Sequence, residues 1–194
     1  SYSPTDIENF KKTAKSLDVA FVFVDSKQDF VNYINTGETL TGETLNRRKN
    51  RIMPISDFTL FGHGAPGLLY FGLNYEIDLS DLAFLNQEAF SSYTNSTFYS
   101  CRTGDEIKIR GRITSFAQEW SNLTGGTVKA MVGRTDYEYI SYSEGRGFVD
   151  KAGEELLGDE IEEAREETGY MQEGSYRYPD EGENAYWETF KPQK

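Results

Sequence analysis

Apolar, β-branched and aromatic runs recur along this chain, each bounded by glycine or small polar residues. They read DVAFVFVDS (Asp18–Ser26), ISDFTLFGHG (Ile55–Gly64), NSTFYSC (Asn95–Cys101) and TVKAMVG (Thr127–Gly133). Runs of this kind predict strands buried on both faces, as in a parallel sheet. Before the last of them, Ile113, Phe116, Ala117, Trp120 and Leu123 fall on one helical face, and Gly125 and Gly126 supply a stop. A strand, a helix and a second strand in that order predict a right-handed parallel crossover. The expected fold class is therefore α/β: a mostly parallel central sheet with helices on both faces, in the order β-α-β-α-β-α-β.

Smaller signals fill in the remaining elements. Thr5 with Glu8 predicts a capping box ahead of Ile7, Phe10, Ala14 and Leu17. Ser26 with Asp29 predicts a second cap, before a helix carrying Phe30, Val31 and Ile34. Ser80 is expected to cap a helix marked by Leu82, Leu85 and Ala89. GLLYFG (Gly67–Gly72) and YEYISYS (Tyr137–Ser143) read as extended pieces, and GENAYWETFKP near the end as a closing strand, with Trp187 and Phe190 supplying burial. Thr36 to Pro54, with TGETL twice and then NRRKNR, reads as a solvated loop open to cleavage or docking.

The 194 residues suit one domain, with a core over 1–149 and an acidic helical segment plus closing strand over 150–194. The net charge is −12, and residues 150–194 hold 14 acidic against 5 basic side chains. Such a balance argues against a nucleic-acid partner, which needs a basic face. No run approaches the roughly 18 apolar residues of a membrane span, so no membrane insertion is expected. No signal-peptide pattern opens the chain, which predicts a cytoplasmic setting, and the start at Ser1 without Met points to a piece of a longer polypeptide. With one cysteine and one histidine the chain can form neither an internal disulfide nor a zinc site from these alone, so no cofactor or metal is expected. The sequons at Asn95 and Asn122 carry no weight without evidence of secretion.

Those two single residues are the candidate chemistry. His63 and Cys101 each close an apolar run, stand 38 residues apart, and have glycine close behind. In an open parallel sheet, sites form outside the carboxyl ends of the strands. Neighbouring strands would bring the two together, and an imidazole beside a thiol takes its proton or stabilises the thiolate. Gly64 leaves the backbone N–H after His63 unshielded, so it and the N–H of Cys101 are the candidate oxyanion donors. Either residue alone fits a structural role equally well.

The segments FTLFGHG and YSCRTG resemble the His and Cys blocks of the caspase-like cysteine peptidases, the superfamily of caspases, gingipains, separases and CHAT domains. The following SFAQEWSNLTGGTVKAMVG is similar to the helix–strand unit after the cysteine in bacterial members. The likeness covers roughly Asp18 to Gly133, and the ending YWETFKP resembles peptidase-like domains at the C-termini of Rhs-type polymorphic toxins. It implies a three-layer caspase-like sandwich and a metal-free cysteine endopeptidase with Cys101 as nucleophile and His63 as general base and acid. Ser100 departs from the family, which usually has alanine before the cysteine.

The resemblance also implies a primary pocket beside the first core strand and the cysteine loop. Asp25 or Asp105 there would select a basic substrate residue, and Arg102 an acidic one; Asp25 has the better position and favours basic, although helix capping beside Ser26 explains it equally. The implied partners are a protein substrate and an immunity or inhibitor protein, with delivery into a target cell's cytoplasm. Two other readings use the same residues. One is a catalytically silent fold that grips a basic partner through its acidic segment. The other is ligation or deamidation through the same acyl-enzyme.

Overall fold

The computed structural model describes residues 4–16, 18–38, 53–70, 76–134, 141–143, 147–149, 157 and 185–193. They fall into two compact units, the first from residues 1–21 and 134–186, the second from 22–133 and 187–194.

In the first unit, helix α1 spans Pro4–Ser16 and buries Phe10 and Ala14. It starts at Pro4, where a missing N–H is no loss, so Thr5 lies inside the helix and is not its cap. Asp18, at φ 53°, closes the helix in the left-handed region, and the Val19 N–H reaches Ala14 O at 3.0 Å. Leu17 lies outside the described residues.

The second unit opens with helix α2, Lys27–Thr36, and here the expected cap is present. The Ser26 Oγ accepts the Asp29 N–H at 3.1 Å, and Gly37 at φ 79° ends the helix. The run before it forms no strand: residues 19–25 carry no ladder, and Val19 and Phe23 are exposed. β-propensity reports only that side chains suit a pleated surface, and a strand exists only where a neighbour offers its backbone. The expected first core strand is thus absent, and of the helix expected over 151–168 only Leu157 is described, exposed and not in a helix.

Strand β1 is Ile55–Phe61, followed by the short β2 (His63–Ala65), β3 (Leu68–Tyr70) and β4 (Glu76–Asp78), which form an antiparallel three-stranded sheet. Pro66 and Gly67, the latter at φ 76°, make the turn between β2 and β3. The expected helix at 82–89 is two 3-10 turns, Asp81–Phe84 and Gln87–Ala89, and Ser80 makes no side-chain cap bond. Local side-chain bonds replace the helical ladder there. Asp78 Oδ1 accepts from Ser80 Oγ at 2.5 Å and from the N–H groups of Ser80 and Asp81, and Asn86 Oδ1 accepts the Glu88 N–H at 3.0 Å. Lys27 Nζ donates to both Asp81 carboxylate oxygens, at 2.9 and 2.8 Å, tying α2 to this segment.

Strand β5, Phe90–Tyr99, begins earlier than expected. A hairpin follows, of β6 (Ile107–Ile109) and β7 (Arg112–Thr114), then helix α3 (Phe116–Thr124) and strand β8 (Thr127–Val132). Ile113, expected on the helix, is on β7 instead; Ser115 caps the helix, and Gly125 ends it as expected. In the first unit β9 (Ser141–Ser143) pairs antiparallel with β10 (Gly147–Val149). The closing strand β11 is Tyr186–Phe190. The central sheet of the second unit runs β1-β5-β8-β11, with β1, β5 and β8 parallel. The fold is mixed α/β with a mostly parallel central sheet. Helix α3 makes the expected crossover, whereas β1 reaches β5 through strands and 3-10 turns.

One face of the sheet holds the core. Trp120 on α3 is fully buried and stacks on Phe58 of β1 at 5.0 Å, beside Phe98 of β5 at 5.3 Å and Phe90 at 5.4 Å. Its indole N–H donates to Ser96 Oγ at 3.0 Å, so a buried polar atom is satisfied. Phe30 of α2 joins from the same side, 6.3 Å from Phe58 and 6.2 Å from Trp120. Both described helices of this unit therefore pack on this face. The other face carries Phe61 stacked on Tyr99 at 4.7 Å, with Trp187 edge-on to Tyr99 at 5.3 Å and Lys129 Nζ 4.7 Å from the Trp187 ring.

The β1–β5 ladder contains one irregularity. Ile55 pairs with Phe90, but Asp57 pairs with Asn95, so β5 gains three residues within this step. Thr94 fills the bulge: its hydroxyl lies 2.6 Å from Ile55 O and 2.7 Å from Ser91 O.

Two outcomes follow. Thr94→Val removes the single proton that this hydroxyl donates to one or the other of these part-buried carbonyls and should lower unfolding stability by about 1–3 kcal/mol in urea titrations; an unchanged midpoint would show that the bulge holds without the hydroxyl. Hydrogen bonds from Ser80 hold the Asp78 carboxyl below its ordinary 3.8. A lowered pKa contributes stability above the unfolded value, which disappears as pH falls through the folded one. Ser80→Ala should therefore destabilise at neutral pH, with the difference shrinking below about pH 4.

Candidate active site

From Asp57 to Phe61 the parallel ladder keeps one offset: Thr59 faces Thr97, Leu60 faces Phe98 and Phe61 faces Tyr99, each pair 38 residues apart. His63 and Cys101 are separated by that same 38, and each stands two residues in sequence beyond the last paired residues, Phe61 and Tyr99. Adjacent strands lie about 4.8 Å apart. The pairing continues briefly, with the Gly62 N–H 3.4 Å from Tyr99 O. The expected single strand ending at His63 is thus broken at Gly62, and His63 opens β2.

A second contact brings the two loops together. A Cβ on Gly64 would stand well inside contact with Cys101 O, 2.9 Å from the Thr103 methyl and 3.2 Å from Ser100 Cβ. Only glycine permits this approach, which seats the backbone after His63 against the cysteine turn. The two-residue turn of the β2–β3 hairpin makes Ala65 and Leu68 the hydrogen-bonded pair. That alternation leaves the Gly64 N–H outside the β2–β3 ladder. His63 is exposed and Cys101 half-buried, so both are within reach of a large substrate.

Cys101 lies in a turn that begins after β5, and the turn is tightly held. Arg102 N–H donates to Gly133 O at 2.9 Å, Gly104 N–H to Met131 O at 2.9 Å, and Thr103 O accepts the Ala117 N–H at 3.0 Å. Asp105 completes the bracket, accepting the Gly133 N–H on Oδ1 at 2.7 Å and Arg102 Nε on Oδ2 at 2.7 Å. Arg102 sits at φ 57°, left-handed backbone that a non-glycine residue adopts at a cost of order 1–3 kcal/mol. These bonds to β8 and α3 hold it there.

The three charged candidates for a substrate pocket fare differently. Arg102 and Asp105 neutralise one another, and the Asp105 carboxylate also ties the turn to β8. Asp25 is exposed, directly before the α2 cap, and makes no hydrogen bond or ion pair among the described residues. The capping role belongs to Ser26. No cluster of three or more histidine, cysteine or acidic side chains suited to a metal occurs among the described residues. None of the described helices is long and apolar enough to cross a membrane.

Two features of the site escape sequence reading. Thr94 sets the register, and nothing in the sequence marks one strand threonine over another. Ser100, 1% exposed, carries the buried side-chain polar atom that finds no hydrogen-bond partner among the described residues. No family model and no curated protein matches this sequence.

An unpartnered buried hydroxyl is costly, so Ser100→Ala should raise stability by about 1 kcal/mol. The check is a urea titration beside thiol labelling of Cys101, which should be unchanged. A loss of stability would mean that the hydroxyl is satisfied in solution.

Proposed function

We propose that this chain is a cysteine endopeptidase acting through Cys101 and His63. The observation that supports this best is the shared 38-residue offset: the sole thiol and the sole imidazole each follow, by two residues, the last pair of the β1–β5 ladder. The chemistry follows from the residue types. His63 takes the Cys101 proton, and the thiolate attacks the scissile carbonyl carbon. The N–H groups of Gly64 and Cys101 hold the resulting oxyanion. Collapse of the tetrahedral adduct expels the amine, which carries off the proton from the imidazolium, and leaves a thioester. Water, deprotonated by His63, then releases the acid and restores the thiol.

The caspase-like resemblance supports the same assignment, and with it a setting as a bacterial effector or toxin domain held by an inhibitor protein. The Arg102–Asp105 pairing weakens both as selectors of substrate charge, leaving Asp25 as the residue for a basic preference.

The test is profiling of new protein N-termini in a treated cell lysate, with Cys101→Ala and His63→Ala controls. New termini that need both residues are expected, and the residue before each cut gives the specificity. In parallel, iodoacetamide at mildly acidic pH should label native Cys101, with His63→Ala slowing it roughly tenfold or more. Labelling only after unfolding, with no new termini, would turn the reading toward a binding module. Modified side chains without cleavage would turn it toward ligation or deamidation.

A further inference from the structure

The hairpin of β6 and β7, which begins two residues after Asp105, is a basic stretch in a chain of net charge −12. Its eight residues, Ile107–Thr114, include Lys108, Arg110 and Arg112 and no acidic side chain. Residues 108–113 are all exposed, with Ile113 60% and Ile109 38% accessible. Arg112 is paired with Glu119 at 2.9 Å, whereas Lys108 and Arg110 form no ion pair among the described residues. The nearest anions in sequence are the exposed Glu106 and the engaged Asp105.

The ribbon is also unpaired. It is a sheet of two strands only, and its outer N–H and C=O groups make no hydrogen bond to other described segments. It is nevertheless anchored at its base. Ile107 Cδ1 lies 2.5 Å from where a Cβ on Gly67 would stand, and Thr114 is buried and bonded to Glu119. The tip is a tight turn with Arg110 at φ 50° and Gly111 at φ 85°. Such a turn favours Asn, Asp or Gly at its first position, so an arginine there is a strained choice that presents its charge outward.

We propose that this hairpin is a docking edge for an extended, acidic and apolar segment of a protein partner, added as a third strand. Charge complementarity and the free edges carry this inference, which does not depend on the peptidase reading. Both edges select one alternation. Beside β6, an acidic residue would face Lys108 and apolar residues Ile107 and Ile109; beside β7, an apolar residue would face Ile113 and an acidic one Arg112. A partner held here begins next to the Cys101 turn. Nucleic acid fits the cations but not the exposed isoleucines.

The experiment is fluorescence anisotropy with the full chain in the Cys101→Ala background, which prevents cleavage of the probe. The probe is a fluorescein-labelled peptide alternating Glu and Val, compared with a Lys–Val peptide and a single-stranded RNA oligonucleotide. Binding of the acidic peptide that weakens with salt is expected. Lys108→Glu with Arg110→Glu should weaken it about tenfold or more, and N-methylation of the peptide along one edge should abolish it. Arg110→Asn should raise the melting temperature while weakening binding, a combination that a purely structural role would not produce. Tighter binding of RNA, indifference to the charge reversal, or no binding of the acidic peptide would each overturn the proposal. So would self-association of a Lys108→Ser, Arg110→Ser variant in a chain that ignores the peptide, since the cations would then serve only to blunt an edge.

Discussion

The pairing of β1 with β5 is the constraint on which the rest of this structure turns. A parallel ladder has no hairpin to set its register, so register must come from features within the strands. Here it comes from a bulge in β5 at the level of Ile55–Asp57, stitched by the Thr94 hydroxyl. Before the bulge the partners Ile55 and Phe90 are 35 residues apart; after it they are 38 apart. Had the first offset persisted, His63 would lie level with Phe98, deep in the core, and Cys101 level with Pro66. The alignment of imidazole and thiol is thus decided near the opposite end of the strands from the site itself.

Packing then makes that alignment rigid. Trp120 bridges β1 and β5 from the helical side, touching Phe58, Phe98 and Phe90, and satisfies its N–H on Ser96. On the far side Phe61 and Tyr99, two residues before His63 and Cys101, stack on each other. The strand ends are therefore clamped on both faces directly beneath the candidate dyad. The cysteine turn is held separately, by its bonds to β8 and α3 and by the Asp105 carboxylate.

Charge is distributed against the expectation of a charged specificity pocket. Arg102 and Asp105 hold the turn and each other, while Lys108 and Arg110, which form no ion pair among the described residues, sit on the β6–β7 hairpin a few residues later. A hairpin was legible there: IKI and RIT flank Arg-Gly, a tight-turn signal. The helical stripe starting at Ile113 obscures it, because one residue satisfies both periods and only the Ser115 cap decides where the helix begins.

By itself the sequence determined the elements whose signals are local. The Ser26 cap, the α3 stripe with its glycine stop, the strand at Thr127–Val132, the closing strand and the two strand-end singletons were all readable, because propensity, capping and periodicity act within a few residues. Only the tertiary structure decided the rest. Whether Asp18–Ser26 becomes a strand depends on a pairing neighbour, and none pairs with it among the described residues; Asp78 and Asn86 break a helix-like pattern into two turns through side-chain bonds. The register that gives His63 and Cys101 their shared offset includes an irregularity where the Thr94 hydroxyl bonds across the ladder. Each is a long-range or competing hydrogen-bond choice, settled by which backbone groups find partners once the chain is folded.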